Sequence, residues 1–145
     1  MQTPLGLLRK VQKFDPTLMS EMVLSDNEQL LIDAQRKQMR RGERSDGEEI
    51  TPGLLSNAYA EEKKSKGGQA PFGVPDLYDT GSFQRAITFE VSESSVYFNS
   101  TDEKTQDLVE KYSEDIFGLS DKTFVDALPT LWKSIKAYCL KVLGI

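Results

Sequence analysis

The clearest pattern of apolar and polar positions lies near the C-terminal end of the chain. Apolar residues recur there in steps of three and four, at Phe124, Leu128, Leu131, Trp132, Ile135, Cys139 and Val142. This spacing predicts a long amphipathic helix. Ser120-Asp121 supplies its N-terminal cap, and Pro129 either kinks the helix or restarts it.

Capping sequences predict three helices near the N-terminus. Thr3-Pro4 and Asp15-Pro16 each place a side-chain oxygen before a proline, which suits the first helical position. Ser25-Asp26-Asn27-Glu28 fits a capping box and predicts a third helix from about Asp26 to Arg41, with Gly42 as its stop. Because the apolar residues of this helix form a narrow stripe, we expect most of its surface to face water or a partner. The stripe consists of Leu30, Leu31 and Ala34.

From Phe83 onward the pattern becomes extended. Apolar positions alternate with polar or small ones, and a polar serine-rich turn separates two such runs. The apolar side of the first run carries Ile87, Phe89 and Val91. The pattern predicts an antiparallel β-hairpin near residues 83–99, whose apolar face other elements must cover. A further helix is predicted to begin at Thr101, with Asp102 and Glu103 in its first turn.

The stretch from Gly42 to Gly81 has a different texture. It contains seven of the ten glycines and three of the six prolines. A short helix is predicted over Leu54 to Lys64, followed by the flexible run Lys66-Gly67-Gly68-Gln69. Because connections of this length are usually functional, we interpret the stretch as an arm or assembly loop.

In order, these elements predict a single α+β domain over residues 1–145. Residues 1–41 form N-terminal helices, 42–81 a long central loop or arm, 82–100 a small antiparallel sheet with its hairpin, and 101–145 the C-terminal helices. The chain has 145 residues, of which 38% are hydrophobic. This is enough to bury a core without a disulfide or a metal.

The composition excludes several kinds of chemistry. The chain has no histidine, which removes Ser-His-Asp and Cys-His hydrolases and histidine-ligated metal sites. A single cysteine, Cys139, removes disulfide frameworks and paired-cysteine redox sites, and we interpret it as a small core hydrophobe. The N-terminus has no apolar run typical of a signal peptide, and no long apolar window occurs, so we expect a soluble protein made in the cytoplasm with no membrane contact.

Charges are segregated along the chain, although the formal net charge is only -5. A basic cluster lies at the end of the third helix, at Arg36, Lys37, Arg40, Arg41 and Arg44, and an acidic group lies on the helix after the hairpin, at Asp102, Glu103, Asp107 and Glu110. A solvated helix end explains the basic cluster most simply. The alternative is a docking patch for nucleic acid or for an acidic protein surface. If the two groups met between copies, they would form a head-to-tail interface.

Asp79-Thr80-Gly81 matches the tripeptide that carries the catalytic aspartate of aspartic proteases. Two such aspartates brought together in a dimer could share a proton and act without histidine. A Gly/Pro-rich loop precedes the tripeptide here, so we interpret Asp79, Thr80 and Gly81 as a structural turn. A carboxylate-based glycosidase is a further alternative, although no spacing among the 23 acidic residues stands out.

The order of several short motifs resembles the virion-morphogenesis family of tailed bacteriophages. These are the tail-completion, head-to-tail joining or minor tail proteins. The motifs are Gln35-Arg36-Lys37-Gln38-Met39-Arg40-Arg41-Gly42, Asp46-Gly47, Ile50-Thr51-Pro52, Leu77-Tyr78-Asp79-Thr80-Gly81-Ser82-Phe83 and Ile116-Phe117-Gly118-Leu119. The Leu-x-Asp-Thr-Gly-x-Phe turn followed by a strand is the most specific of them. The resemblance covers about residues 30–145.

The resemblance implies a structural virion protein without catalytic activity, cofactor or metal. It implies assembly at the head-tail junction as a ring of about six or twelve copies, with six-fold or twelve-fold symmetry. Its partners are then copies of itself and other phage neck, portal or tail proteins, and DNA passes through the lumen without specific binding. The expected location is the neck or tail region of the virion, after assembly in the host cytoplasm. The alternative from the residues is an aspartate- or carboxylate-based phage hydrolase.

Overall fold

A computed structural model describes residues 3–50, 56–67, 74–93 and 95–145 of the chain. These residues form seven α-helices and one two-stranded antiparallel sheet, which confirms the α+β class. The elements are α1 (Pro4–Gln12), α2 (Pro16–Asp26), α3 (Glu28–Arg40), α4 (Asn57–Ser65), α5 (Ser82–Arg85), β1 (Ile87–Ser92), β2 (Ser95–Ser100), α6 (Thr105–Tyr112), a 3₁₀ turn (Glu114–Ile116) and α7 (Asp121–Leu143).

The N-terminal helices begin at two of the three predicted caps. The Thr3 hydroxyl accepts a hydrogen bond from the Gly6 N–H, and the Asp15 carboxylate accepts from the Thr17 N–H. The predicted capping box at Ser25 is wrong, because α2 continues through Ser25 and ends at Asp26. Asn27 separates α2 from α3, and its side-chain amide donates back to the Val23 carbonyl at 2.7 Å.

Helix α3 lies at the centre of the domain. It packs against α7 and β1, and α2 packs against the same two elements. Its buried residues are Leu31, Ile32, Gln35, Gln38 and Met39. The prediction of a mostly outward-facing helix is therefore wrong, because Gln35 and Gln38 extend the buried stripe by pairing with backbone groups of another segment. Gly42 follows α3 with a left-handed φ of 74°, as predicted.

In the hairpin, β1 pairs antiparallel with β2, with Ile87 opposite Ser100 at one end and Ser92 opposite Ser95 at the other. Its buried face carries Ile87 and Phe98, and the Phe89 and Phe98 rings meet edge to face at 5.6 Å. The predicted strand start at Phe83 is wrong, because Ser82–Arg85 forms the short helix α5. Gly81, at φ 81°, lets the chain turn into α5.

The predicted helix cap at Thr101 is also wrong. The Thr101 N–H donates to the Ala86 carbonyl at 3.0 Å, which continues the hairpin pairing by one residue. Helix α6 therefore begins at Thr105, and Asp102 and Glu103 precede it. The Asp102 carboxylate accepts from the Lys104 N–H at 2.9 Å and so shapes the entry to α6.

The described part of the central segment is folded onto its own chain. Ile50, Val74, Asp76 and Leu77 are buried, and α4 occupies Asn57–Ser65 with the Ser56 hydroxyl as its cap. The predicted helix over Leu54 to Lys64 is thus found from Asn57 onward. Its predicted start, and the Thr51-Pro52 and Gly68-Gln69 parts of the segment, lie outside the described residues.

Helix α7 begins at the predicted cap, where the Ser120 hydroxyl accepts from the Thr123 N–H. It runs 23 residues to Leu143 and passes through Pro129 as one helix. Only Thr123, Ala127 and Leu131 are fully buried. Ile135 and Tyr138 are partly buried against the core, and Cys139 is half-buried with a free thiol.

Candidate functional site

Two buried glutamines of α3 hold the segment that leads into α7. The Gln35 amide donates to the Ile116 carbonyl at 3.2 Å and accepts from the Gly118 N–H at 2.7 Å. The Gln38 amide donates to the Gly118 carbonyl at 2.8 Å and accepts from the Ser120 N–H at 2.8 Å. Both side chains are completely buried. The two amides thus satisfy the backbone of this extended segment as a neighbouring strand would.

This glutamine clamp, Gln35 and Gln38, fixes the Phe-Gly-Leu motif and the start of α7. Gly118 has a φ of 106°, and a Cβ there would lie 3.1 Å from the Ser45 Cβ. In the sequence, Gln35 and Gln38 were recognised only as parts of a motif, and their role in holding the segment was not predicted. The signal was present, because Leu31, Gln35 and Gln38 follow one another at helical spacing on a single face.

The predicted basic cluster makes many contacts within its own chain. Arg36 donates to the backbone carbonyls of Gln84 and Arg85, at 2.7 and 3.1 Å. Arg40 donates to the Gln84 side chain at 3.1 Å, and its guanidinium lies 5.3 Å from the centre of the Tyr78 ring. These two arginines therefore attach α3 to α5 and to the turn before it.

The remaining members of the basic cluster lie farther out. Arg41 pairs with Glu43 and donates to the Thr123 hydroxyl at 3.1 Å, while Arg44 pairs with Asp46 at 2.6 Å. Lys37 is exposed. Because Arg36, Arg41 and Arg44 each pair with a carboxylate of their own chain, the cluster offers less free positive charge than the sequence indicates.

The acidic residues of α6 are more exposed. Asp107 and Glu110 are exposed and lie three residues apart on one side of the helix, and Glu103, which is also exposed, lies in the turn before it. We call these three residues the acidic stripe. Asp102 is half-buried and holds the turn before the helix, so it does not belong to the stripe.

Asp79, Thr80 and Gly81 form the turn that precedes α5. The Asp79 carboxylate is half-exposed and lies 3.9 Å from both the Lys66 and the Lys104 ammonium nitrogens. The Thr80 carbonyl accepts from Arg85 at 3.2 Å, and the Gly81 carbonyl accepts from the Arg85 N–H at 3.0 Å. The neighbours of Asp79 are thus cations, whereas a shared-proton mechanism needs a second carboxylate close by.

The turn borders a cleft of about 240 Å³ between α4 and α6. Its lining includes Leu77, Phe83, Leu108 and Tyr112, together with the lysines Lys63, Lys104 and Lys111. Near it, Lys66 bonds to Glu62 at 2.7 Å, and this hydrogen bond raises the pKa of Lys66. In the part of the chain that the structure describes, no cluster of His, Cys, Asp and Glu side chains is suited to a metal ion.

Beneath this cleft lies a buried ion pair. The Lys63 ammonium is 2.5 Å from the Asp76 carboxylate, and both side chains are nearly inaccessible to water. Asp76 also accepts from the Tyr78 N–H at 3.1 Å, and its carbonyl accepts from the Gln84 side chain at 2.9 Å. Asp76 therefore joins α4, the Asp79 turn and α5, a role that the sequence analysis did not predict.

The most unusual surface of the domain is apolar. Phe124, Val125, Leu128 and Trp132 of α7 are all exposed, Val125 by 57% and Trp132 by 66%. At 100° per residue these four side chains lie on one side of the helix, and we call them the α7 ridge. The sequence pattern identified Phe124, Leu128 and Trp132 as one helix face, but it does not tell whether that face is buried.

A second apolar surface lies on α1. Leu5, Leu8 and Val11 recur every three residues and are each about half exposed or more. Helix α1 itself is attached to the end of α7, where Phe14 meets Tyr138 and Lys10 donates to the Leu143 carbonyl. No helix among the described residues is long and apolar enough to cross a membrane.

A second cleft, of about 300 Å³, lies between β2 and the end of α6. Among the described residues, its lining combines apolar side chains with polar groups and the charged Glu114, and it consists of Val96, Tyr97, Phe98, Asn99, Val109, Glu114, Phe117 and Gly118. We call it the β2–α6 cleft. Its position next to the acidic stripe combines apolar surface with negative charge.

Comparison of the chain with protein-family models, with curated proteins and with solved structures finds no match.

Proposed function

We propose that this chain is a structural virion protein of a tailed bacteriophage, which assembles as a ring at the head-tail junction and joins the portal or connector to the tail. The α7 ridge carries the assembly part of this proposal. Large exposed apolar surfaces on soluble domains mark sites that another protein or a membrane covers. Four such side chains on one helix face are therefore best explained by a partner.

The kind of assembly, a ring at the head-tail junction, is proposed from the resemblance of the sequence motifs to the phage virion-morphogenesis family. The glutamine clamp gives a structural reason for two of those motifs, because Gln35 and Gln38 hold Ile116, Gly118 and Ser120 in place. The Leu-x-Asp-Thr-Gly-x-Phe motif forms the turn beside the buried Lys63–Asp76 pair. The motifs joined by the glutamine clamp and the Leu-x-Asp-Thr-Gly-x-Phe motif thus hold elements of the domain in place, which supports a structural role.

The test is a joining assay with virions. The gene for the chain is disrupted in its phage or prophage, and lysates are examined by electron microscopy. We expect separate heads and tails to accumulate, and added purified protein to restore joined, infectious particles. A normal yield of joined particles after the disruption would contradict the proposal.

The variant Asp79→Asn separates this proposal from the alternative of an aspartate-based hydrolase. It keeps the size and turn preference of the side chain and removes the carboxylate. We expect it to restore joining as well as the unchanged protein does, because Asp79 has only partly exposed contacts with Lys66 and Lys104. A folded Asp79→Asn protein that fails to restore joining would favour the hydrolase.

A further inference from the structure

We propose that Trp132 of one copy inserts into the β2–α6 cleft of the next copy. The inference rests on the proposed function only in that the chain assembles with copies of itself. It goes further by naming the two surfaces that meet and the side chain that anchors them.

Trp132 has the character of an interface anchor. It is the only tryptophan of the chain, and 66% of it is exposed although Leu131 beside it is buried. Tryptophan is enriched among the residues that dominate binding energies at protein interfaces. On α7 it lies one turn beyond Leu128 and one turn before Lys136, so the indole is bordered by an apolar neighbour and a positive charge.

The β2–α6 cleft fits such a side chain. Its volume of about 300 Å³ exceeds that of an indole ring, and its walls include the aromatic residues Tyr97, Phe98 and Phe117. Phe117 is partly exposed and so offers aromatic surface that an indole can cover. Aromatic pairs of this kind contribute beyond the apolar area they bury.

The charges around the two surfaces are opposite in sign. Lys133 and Lys136 lie beside Trp132 and are exposed. Glu114 lines the cleft, and Glu110, in the acidic stripe, follows the lining residue Val109 and is also exposed. When the indole enters the cleft, these lysines approach these glutamates, which favours one orientation of the pair and disfavours others.

A contact of the ridge of one copy with the cleft of the next is head to tail when the second copy's ridge meets a third copy. Such a contact leaves a free ridge at one end of the row and a free cleft at the other, and a ring forms when the rotation between copies closes. The interface uses the acidic side that the sequence predicts. On the basic side it uses the α7 lysines, since Arg36, Arg40, Arg41 and Arg44 already bind their own chain.

The single tryptophan makes the test direct. Purified full-length protein is followed over a dilution series by analytical ultracentrifugation and by intrinsic fluorescence. In the assembled form we expect the Trp132 emission to shift to shorter wavelength and acrylamide quenching to decrease, because the indole leaves water. A stable oligomer whose tryptophan remains as accessible as in the monomer would overturn the inference and leave the proposed function standing.

Substitutions test the same contact from each side. Trp132→Ala is expected to weaken association at least about 30-fold. Leu5→Ala, on the comparably exposed α1 face, is the matched control and should have little effect. Circular dichroism verifies that both variants are folded. Equal association constants for Trp132→Ala and the unchanged protein would overturn the inference.

A charge exchange tests the orientation of the pair. Lys136→Glu and Glu110→Lys are each expected to weaken association about 5- to 10-fold, and the chain carrying both should recover most of it. Lys13→Glu, which lies on neither surface, is the control for the change in net charge. If the double variant is as weak as the product of the two single effects, Lys136 and Glu110 do not meet, and the proposed orientation is wrong.

A chain that stays monomeric at every concentration reached would also overturn the inference. The virion joining assay still decides the proposed function in that case, since it does not require the free protein to associate alone. The two proposals therefore fail on different observations.

Discussion

The glutamine clamp holds the segment that ends at Ser120, and the α7 ridge begins at Phe124, shortly after it. Both depart from the usual rule that polar side chains are exposed and apolar side chains are buried. Gln35 and Gln38 are polar and completely buried, whereas Val125 and Trp132 are apolar and mostly exposed. The clamp is explained within the chain, because its four hydrogen bonds satisfy backbone groups that would otherwise be buried without partners. The ridge has no such explanation within the described part of the domain.

This contrast shows that an unusual feature points to a partner only when contacts within the chain do not explain it. Two buried amides that make four hydrogen bonds between them need no further partner, although glutamine is unusual inside a core. An exposed indole beside three other exposed apolar side chains needs a partner to remove it from water.

The buried Lys63–Asp76 pair should be the most sensitive polar contact. Lys63→Met keeps most of the side-chain length but removes the cation, so the Asp76 carboxylate stays buried without it. We expect a loss of about 3 to 5 kcal/mol in the free energy of unfolding, measured by urea denaturation. Lys66→Met removes the exposed pair with Glu62 and should cost less than about 1 kcal/mol. Similar losses for both would mean that Lys63 is not buried.

Leu131 and Trp132 are adjacent on α7, but the first is buried and the second is exposed. Substituting each of them shows whether burial or side-chain size determines the loss of stability. Leu131 is 3% exposed, so Leu131→Ala leaves a cavity and should cost about 2 to 5 kcal/mol. Trp132→Ala removes a larger side chain, but it should change the stability of the monomer by less than about 0.5 kcal/mol. Both values come from denaturant unfolding at a concentration where the protein is monomeric. A large loss for Trp132→Ala would place the ridge within the core and contradict the contrast.

The glutamine clamp can be removed without changing the packing volume. Gln38→Met has nearly the same shape, but it leaves the Gly118 carbonyl and the Ser120 N–H without their partner. We expect a loss of about 2 to 4 kcal/mol in the free energy of unfolding. Gln29→Met on the same helix removes one exposed bond to Asp33 and serves as the control. Hydrogen exchange should show weaker protection of the Ser120 amide in Gln38→Met alone.

Local signals in the sequence predicted the elements well and their burial less well. The caps at Thr3, Asp15 and Ser120 are local, since a side chain bonds to the backbone two or three residues away, and all three were correct. The boundaries predicted at Ser25, Phe83 and Thr101 were wrong. At Thr101 a contact between residues far apart in the chain prevailed, because the Thr101 N–H donates to the Ala86 carbonyl.

Compared with the helix and strand boundaries, the candidate site depends more on contacts between residues far apart in the chain, which the sequence does not show. The basic cluster was visible as charge, but its pairing with Gln84, Thr123 and Tyr78 links residues far apart in the chain. The period of α7 identified one apolar face, and periodicity cannot distinguish a face that meets the core from one that meets a partner. Of the predicted acidic group, Asp107 and Glu110 lie on the helix, whereas Asp102 and Glu103 lie in the turn before it.

The smallest effect on stability is expected at Asp46. As in the glutamine clamp, a side-chain oxygen there accepts a hydrogen bond from a backbone N–H, but this bond lies at the surface. The Asp46 carboxylate accepts from the Glu48 N–H at 3.0 Å, and this bond, with help from the Arg44 guanidinium, lowers the pKa of Asp46 below 3.8. The folded state therefore binds this proton less tightly than the unfolded state. Its contribution to stability is present above pH 3.8 and is lost as the pH falls through the lower pKa of the folded protein.

Asp46→Asn removes this titration and keeps the turn preference. We expect its melting temperature at neutral pH to fall less than that of Gln38→Met, because solvent screens an exposed carboxylate. The difference from the unchanged protein should shrink as the pH falls from about 5 to 2. A difference that stays constant over this range would mean that the Asp46 charge contributes nothing. A loss as large as that of the buried clamp would mean that burial is not what separates strong polar contacts from weak ones in this domain.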